Sequence, residues 1–209
     1  MKYLRCIYLS MLFTLVACGY KDHAFIYDPY DSRMPQYSEE GANTAGAYIN
    51  GDVWISQKVL FFNEDDQVTG RRGDVTIYVS EEKGGSYIAF EGGEIQIEQD
   101  YSSLSTVSFF LKDVFLRSEE DIRNLERQSF ELGQTQNYGQ YTSSRNLQLV
   151  DSARNSEGTL FIRRVGTNDY GEFFFSGTFG FKVPSDLDSM EVFSGRFDYE
   201  LVDLNFQAL

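Results

Sequence analysis

Of 209 residues only two are cysteine, Cys6 and Cys18, and one is histidine, His23. None of the three lies beyond residue 23, so the rest of the chain cannot hold a disulfide, a Ser-His-Asp or Cys-His nucleophile system, or an ordinary zinc site. Most hydrolase templates fall with them. Basic residues are scarce as well, 18 Lys and Arg against 32 Asp and Glu, for a formal net charge of −14. That field repels nucleic acid and anionic headgroups, which excludes a nucleic-acid partner and membrane contact through the folded part. No glycine-rich phosphate loop follows a strand and opens a helix, so nucleotide chemistry is not indicated. Long apolar runs are missing too. The only candidate, Cys6 to Leu15, is interrupted by Ser10 and Thr14 and is far shorter than the about 20 residues a spanning helix needs.

That short run has a different use. It follows Lys2 and Arg5 and ends in Leu15-Val16-Ala17-Cys18: a basic start, an apolar middle and small residues before a cut, the three parts of a secretory signal. Leu three places before the cysteine and Ala just before it resemble the lipobox of bacterial lipoproteins. The resemblance implies removal of residues 1–17 and acylation of Cys18, with palmitate-like chains as the only membrane contact. Two or more chains hold a protein stably where one holds it marginally. Cys6 leaves with the signal and Cys18 is consumed by lipid, so no thiol remains in the folded part. The expected address is the bacterial cell envelope, the outer membrane rather than the inner.

Residues 18–45 read as the lipidated cysteine and a tether. Tyr20, Tyr27, Tyr30 and Tyr37 are scattered there among acids, serines and two of the three prolines, Pro29 and Pro35, with no period running through. From residue 46 to 209 the chain reads as one domain, mainly β. Eighteen Phe and fourteen Tyr beside one Trp suit a pleated interior. Asn50-Gly51 between Ala47-Tyr48-Ile49 and Asp52-Val53-Trp54-Ile55 predicts a type I′ hairpin. Val75, Ile77 and Val79 alternate with Thr76 and Tyr78. Lys83 to Ser86 and Glu91-Gly92-Gly93 read as turns bounding a strand from Tyr87 to Phe90, and Glu94 to Glu98 as a strand with Ile95 and Ile97 on one face. Val107, Phe109 and Leu111 follow, with a bend at Lys112-Asp113. Ser118 before Glu119-Glu120-Asp121, with Ile122 and Leu125, predicts one short capped helix.

Residues 133–146, rich in Gln, Asn, Tyr, Ser and Gly, read as a long loop. The last third alternates most clearly. Phe173, Phe175, Phe179, Phe181 and Val183 share a face that Gly177 interrupts, as for a bulge or a neighbouring ring. Leu160 to Arg164 before the turn Asn168-Asp169-Tyr170-Gly171 supplies one neighbour. Phe193, Phe197, Tyr199 and Leu201 supply the other, with parity changing at Val202 to bring Leu204 and Phe206 inside. The expected fold is an antiparallel β-sandwich, with a partly closed β-barrel as the alternative, carrying one short helix.

Three segments carry a resemblance: Ala47 to Trp54, Phe175 to Phe181 and Ser194 to Asp198. Together with the lipobox they resemble a broad family of small β-rich lipoproteins of Bacteroidota, a domain to which no activity is attached. The likeness covers about a third of the chain. It implies a cell-envelope lipoprotein and a β fold, and no reaction.

The residues themselves offer one binding arrangement. Tyr48 and Trp54, read as lying on the face opposite Ile49, Val53 and Ile55, would form with Asn50 and Asp52 a platform for stacking a sugar; the competing reading packs both rings under a neighbouring sheet. Acidic turns at Asn63-Glu64-Asp65-Asp66 and Asp186-Leu187-Asp188 lack the spacing of an EF-hand and read as solvated. No catalytic residue, cofactor or metal is indicated. The chain is therefore expected to be an envelope module that binds a glycan, a peptide or a partner protein, or that serves a structural role. The alternative is a carbohydrate-active enzyme using an Asp/Glu pair across a cleft.

Overall fold

The computed structural model describes residues 31, 33–57, 59–62, 68–72, 74–94, 105–133, 136–143, 156–183, 189–202 and 206–208. The signal, Cys18, the acidic turns at 63–66 and 186–188 and the strand expected at 94–98, save Glu94, lie outside these residues. So do residues 134, 135 and 144–146 of the expected loop, and Leu204. Within them the elements run β1 (Thr44–Ile49), β2 (Asp52–Gln57), β3 (Val59–Phe62), β4 (Val68–Arg72), β5 (Val75–Ser80), β6 (Gly85–Glu94), β7 (Ser105–Lys112), α1 (Glu119–Arg123), β8 (Ser129–Leu132), β9 (Tyr138–Ser143), β10 (Glu157–Thr167), β11 (Phe173–Val183), β12 (Met190–Glu200) and β13 (Phe206–Ala208).

Among the described residues eleven strands form one sheet, in the order β13-β5-β6-β2-β1-β12-β11-β10-β8, with β7 on β6 and β9 on β7. β3 and β4 form a hairpin of their own. Every pairing is antiparallel except that of β13 with β5. The fold is mainly β, and the sheet curls into a nearly closed barrel, the second of the two expected arrangements. The strand that makes this possible is β6. Residues 85–92 pair with β7, while Gly93 and Glu94 pair with Ile55 and Trp54 of β2, so a single strand belongs to both halves. Gly92-Gly93 is therefore mid-strand and not the turn its composition predicts. A Cβ at Gly92 would lie 2.4 Å from the Ile55 carbonyl oxygen and 2.6 Å from the Trp54 ring, an approach only glycine allows. Far around the barrel β8 and β9 meet through the Gly133 N–H, which donates to the Asn137 carbonyl at 2.8 Å.

Rings fill the interior. Phe90 lies 5.0 Å from Phe197 and 5.5 Å from Tyr199 between centroids, and Phe109 meets Phe179 edge-on at 5.1 Å. The inward alternation of β11 is as the sequence predicts. At Gly177 both predicted causes apply: a Cβ would strike the Phe161 carbonyl at 2.1 Å and the Phe197 ring at 2.7 Å, and the register slips opposite it between Ile162 and Arg164. α1 starts at Ser118, whose hydroxyl accepts from the Asp121 N–H. The Arg117 backbone N–H, and after it Ser118, holds the Asp121 carboxyl below its ordinary range.

Three further expectations are corrected. Residues 138–143 are not loop but β9, paired with β7. Phe193 is not inside. β12 carries an extra residue relative to both neighbours, since Gly46 and Tyr48 face Arg196 and Phe193 on one side while Phe179 and Phe181 face Gly195 and Val192 on the other. The bulge sits at Ser194, whose φ is +52°, and it leaves Phe193 38% exposed before Phe197 and Tyr199 turn inward. Finally, Phe206 packs against the core as expected, but it does so from a separate strand, β13, parallel to β5.

Candidate functional site

The β1–β2 hairpin has the expected turn, with φ of +52° at Asn50 and +93° at Gly51. It does not assemble the expected platform. Ala47 pairs with Trp54 and Tyr48 with Val53, which puts Trp54 on the inner face and Tyr48 on the outer. Trp54 is fully buried, and its Nε1–H donates to Ser105 Oγ at 2.9 Å. Tyr48 stacks instead on Phe193 at 5.1 Å. Asn50 braces the next strand, its Oδ1 accepting from the Glu191 N–H at 2.8 Å, and Asp52 is exposed at the tip. With Trp54 buried, the stacking platform is not formed.

The outer face of β12, β11 and β10 is occupied by the chain's own residues 34–43, the second half of the segment read as tether. Asp198, 1% exposed, accepts hydrogen bonds from the Gly41 and Ala42 N–H groups at 3.0 Å each, from the Glu40 N–H at 3.2 Å and from the Ser38 hydroxyl. Successive backbone N–H groups around one carboxylate make an anion-holding nest, here with the anion supplied by the strand. Glu39 reaches Arg163 Nε at 2.9 Å and Arg164 at 3.2 Å. Tyr37 donates to Glu39 at 3.0 Å, and its burial pushes the phenol well above its ordinary range. Pro35 occupies the space of a side chain at Gly46, 2.5 Å from where a Cβ would be. Pro35, Tyr37, Arg196 and Asp198 close together there over a shallow notch too small to admit a water molecule. Part of the segment read as tether is thus docked on the barrel as a strap.

The other half of the barrel carries a different surface. Tyr78, Tyr87, Phe110 and Tyr138 lie directly opposite one another on β5, β6, β7 and β9, one ring per strand, on the face turned away from the core. Tyr78 stacks on Tyr87 at 4.7 Å and Phe110 on Tyr138 at 5.1 Å. The row is tied along its top: Lys83 Nζ donates to the Tyr87 hydroxyl at 2.7 Å, and that hydroxyl lies 2.5 Å from Tyr138's. Tyr87 and Phe110 are buried by their neighbours, and Tyr78 and Tyr138 are half-buried at the ends. Burial, and then the neighbouring Tyr87, pushes the Tyr78 phenol upward.

The next row on this face is Thr76, Ala89, Ser108 and Gln140, again in register, with short side chains on β5, β6 and β7. Beyond it stand Glu91, Thr106 and Thr142. A trough results, its floor the row from Thr76 to Gln140 and one wall the rings. Sequence reading missed it because the residues come from four segments, and only their pairing brings them into line. Among the described residues no group of three or more His, Cys, Asp or Glu is placed to hold a metal ion. Compared with known proteins, the chain matches no family model, no curated protein and no solved structure.

Proposed function

We propose that this protein is a lipid-anchored binding module of the bacterial cell envelope, fastened by acyl chains on Cys18 and taking its ligand, a glycan, peptide or partner protein, on the outer face of β5, β6, β7 and β9. The observation that carries the reading is the four-ring row. Rings are normally core material, and this protein's interior is already filled by Phe90, Phe109, Phe175, Phe179 and Phe197. A second aromatic line on the outside of the same strands therefore serves no need of the barrel interior, and it lies beside polar groups that a ligand can use. The three segments that resemble Bacteroidota lipoproteins support the envelope address; they lie on the adjacent strands β2, β1, β12 and β11, away from this face.

The test is the double variant Tyr78→Ala/Tyr138→Ala in the full mature chain. Both rings are half-buried ends of the row, so the thermal midpoint is expected to fall by only a few degrees, about 2 kcal/mol of lost packing at most. Capture of envelope glycans or proteins, compared with the parent, is expected to be lost. Undiminished capture by the variant would sink the reading.

A further inference from the structure

We infer that the trough beside the ring row is a subsite for a neutral linear polysaccharide lying across the strands; this rests on the binding-module reading above and names its ligand. Ser108, on the trough floor, is 8% exposed as a residue; among the described residues its hydroxyl makes no hydrogen bond, and its oxygen keeps access to solvent. That hydroxyl lies on the same side of the sheet as the rings, where a ligand can reach it. Thr76, Gln140, Thr106 and Thr142 line the same trough, and their side chains also make no hydrogen bond among the described residues. The face thus presents unspent donors and acceptors in a row beside an aromatic wall, the pairing that suits a sugar, with hydroxyls on its rim and apolar C–H groups on its faces.

Charge then selects among sugars. No ionisable group stands on the floor, and Glu91 on the far rim is an acid. Lys83 spends one N–H on Tyr87 and holds its ammonium 5.4 Å from that ring's centroid. A polyanion would meet the field of a protein with net charge −14 and find no cluster of cations in the trough to offset it. A neutral chain meets neither obstacle. Length follows from the sheet: from β5 to β9 are three inter-strand steps, roughly 14 Å at about 4.8 Å each, room for a short run of hexose units, with polar floor side chains on β5, β7 and β9 and Ala89 between them on β6.

The experiment is isothermal titration of the full mature chain, in detergent, with neutral β-glucan and mannan oligomers of increasing length, and with alginate and polygalacturonate as acidic counterparts. The expected result is binding of a neutral series that strengthens with length until the oligomer spans the trough and that changes less than twofold between low and high salt. Ser108→Leu, which fills the floor and leaves the rings in place, should weaken it at least tenfold; Ser108→Ala, which keeps the space, should weaken it less. Near-ultraviolet circular dichroism of each variant reports whether the ring row is intact, and Thr142→Leu provides a second block at the rim should Ser108→Leu fail to fold. Preferred binding of the acidic polymers, or binding of a neutral series unaffected by both blocks, overturns the inference and leaves the binding reading standing. If no saccharide binds while Tyr78→Ala/Tyr138→Ala abolishes capture of a protein or peptide, the inference again falls alone. If that double variant changes no capture of any kind, the reading beneath it falls as well.

Discussion

Two buried oxygen groups show how much single residues contribute. The Asp198 carboxylate is met almost wholly by donors from residues 38–42, so Asp198→Ala leaves those donors facing a sheet. The expected cost is about 3 kcal/mol, the upper part of the range for stranded buried groups. Amide exchange at residues 40–42 should accelerate before that of β12, and equal acceleration in both would show that the strap and the strand open as one unit. Tyr199 is the inner counterpart. Its hydroxyl sits 2.5 Å from Ser56 Oγ, and burial pushes its phenol above the ordinary value, as it does for Tyr37. A raised phenol favours the protonated folded state. Their contribution is thus complete below the unfolded tyrosine pKa of about 10 and is lost as pH climbs beyond it. Urea midpoints measured upward from neutral pH should stay level and then drop above about pH 10. Tyr199→Phe should lower the neutral-pH plateau by about 1 kcal/mol through the lost hydroxyl bond to Ser56 and make the alkaline fall shallower.

At the scale of elements, the place where the barrel is joined is the most exacting. Gly92→Ala inserts a methyl group against the Ile55 carbonyl and the Trp54 ring. It is expected to cost about 3 kcal/mol or more, read as a lower denaturant midpoint, with Trp54 fluorescence shifted as its pocket opens. The elements legible from sequence are those whose alternation is unbroken, such as β5 and β11, or whose turn needs a special backbone, such as Asn50-Gly51. Those that escaped have physical reasons. In β9 the inward positions are Gly139 and Tyr141, and the glycine makes room for the Phe181 ring, 2.6 Å from where its Cβ would be, so the apolar signal is absent. A two-residue turn pairs Ile49 with Asp52 and inverts parity across it. This is why Tyr48 and Trp54, both even-numbered, lie on opposite faces. The bulge at Ser194 inverts parity again within β12, and nothing in Phe193-Ser194-Gly195 announces it.

At the scale of the whole molecule, the fold class was readable from composition and period, whereas the candidate site was not. Its four rings are spread over residues 78–138, and two of them fall in segments that read as turn-bounded or loop. The anchor belongs to this scale too. Mass spectrometry of the native protein is expected to find an acylated Cys18 as its first residue. Cys18→Ser should shift the protein from the membrane to the soluble fraction; retention in the membrane fraction with an unmodified amino terminus would count against the lipobox reading.

The strap also decides how the barrel meets mechanical load. Tension arriving along the chain ahead of residue 33 does not load β1 from its first residue, because residues 34–43 are fixed across β12, β11 and β10 as well as against Gly46 of β1. Past Pro35 and Tyr37 it meets the bonds that converge on the Asp198 carboxylate, which must rupture nearly together, so the first hairpin is spared the one-bond-at-a-time unzipping that a directly tethered strand would suffer.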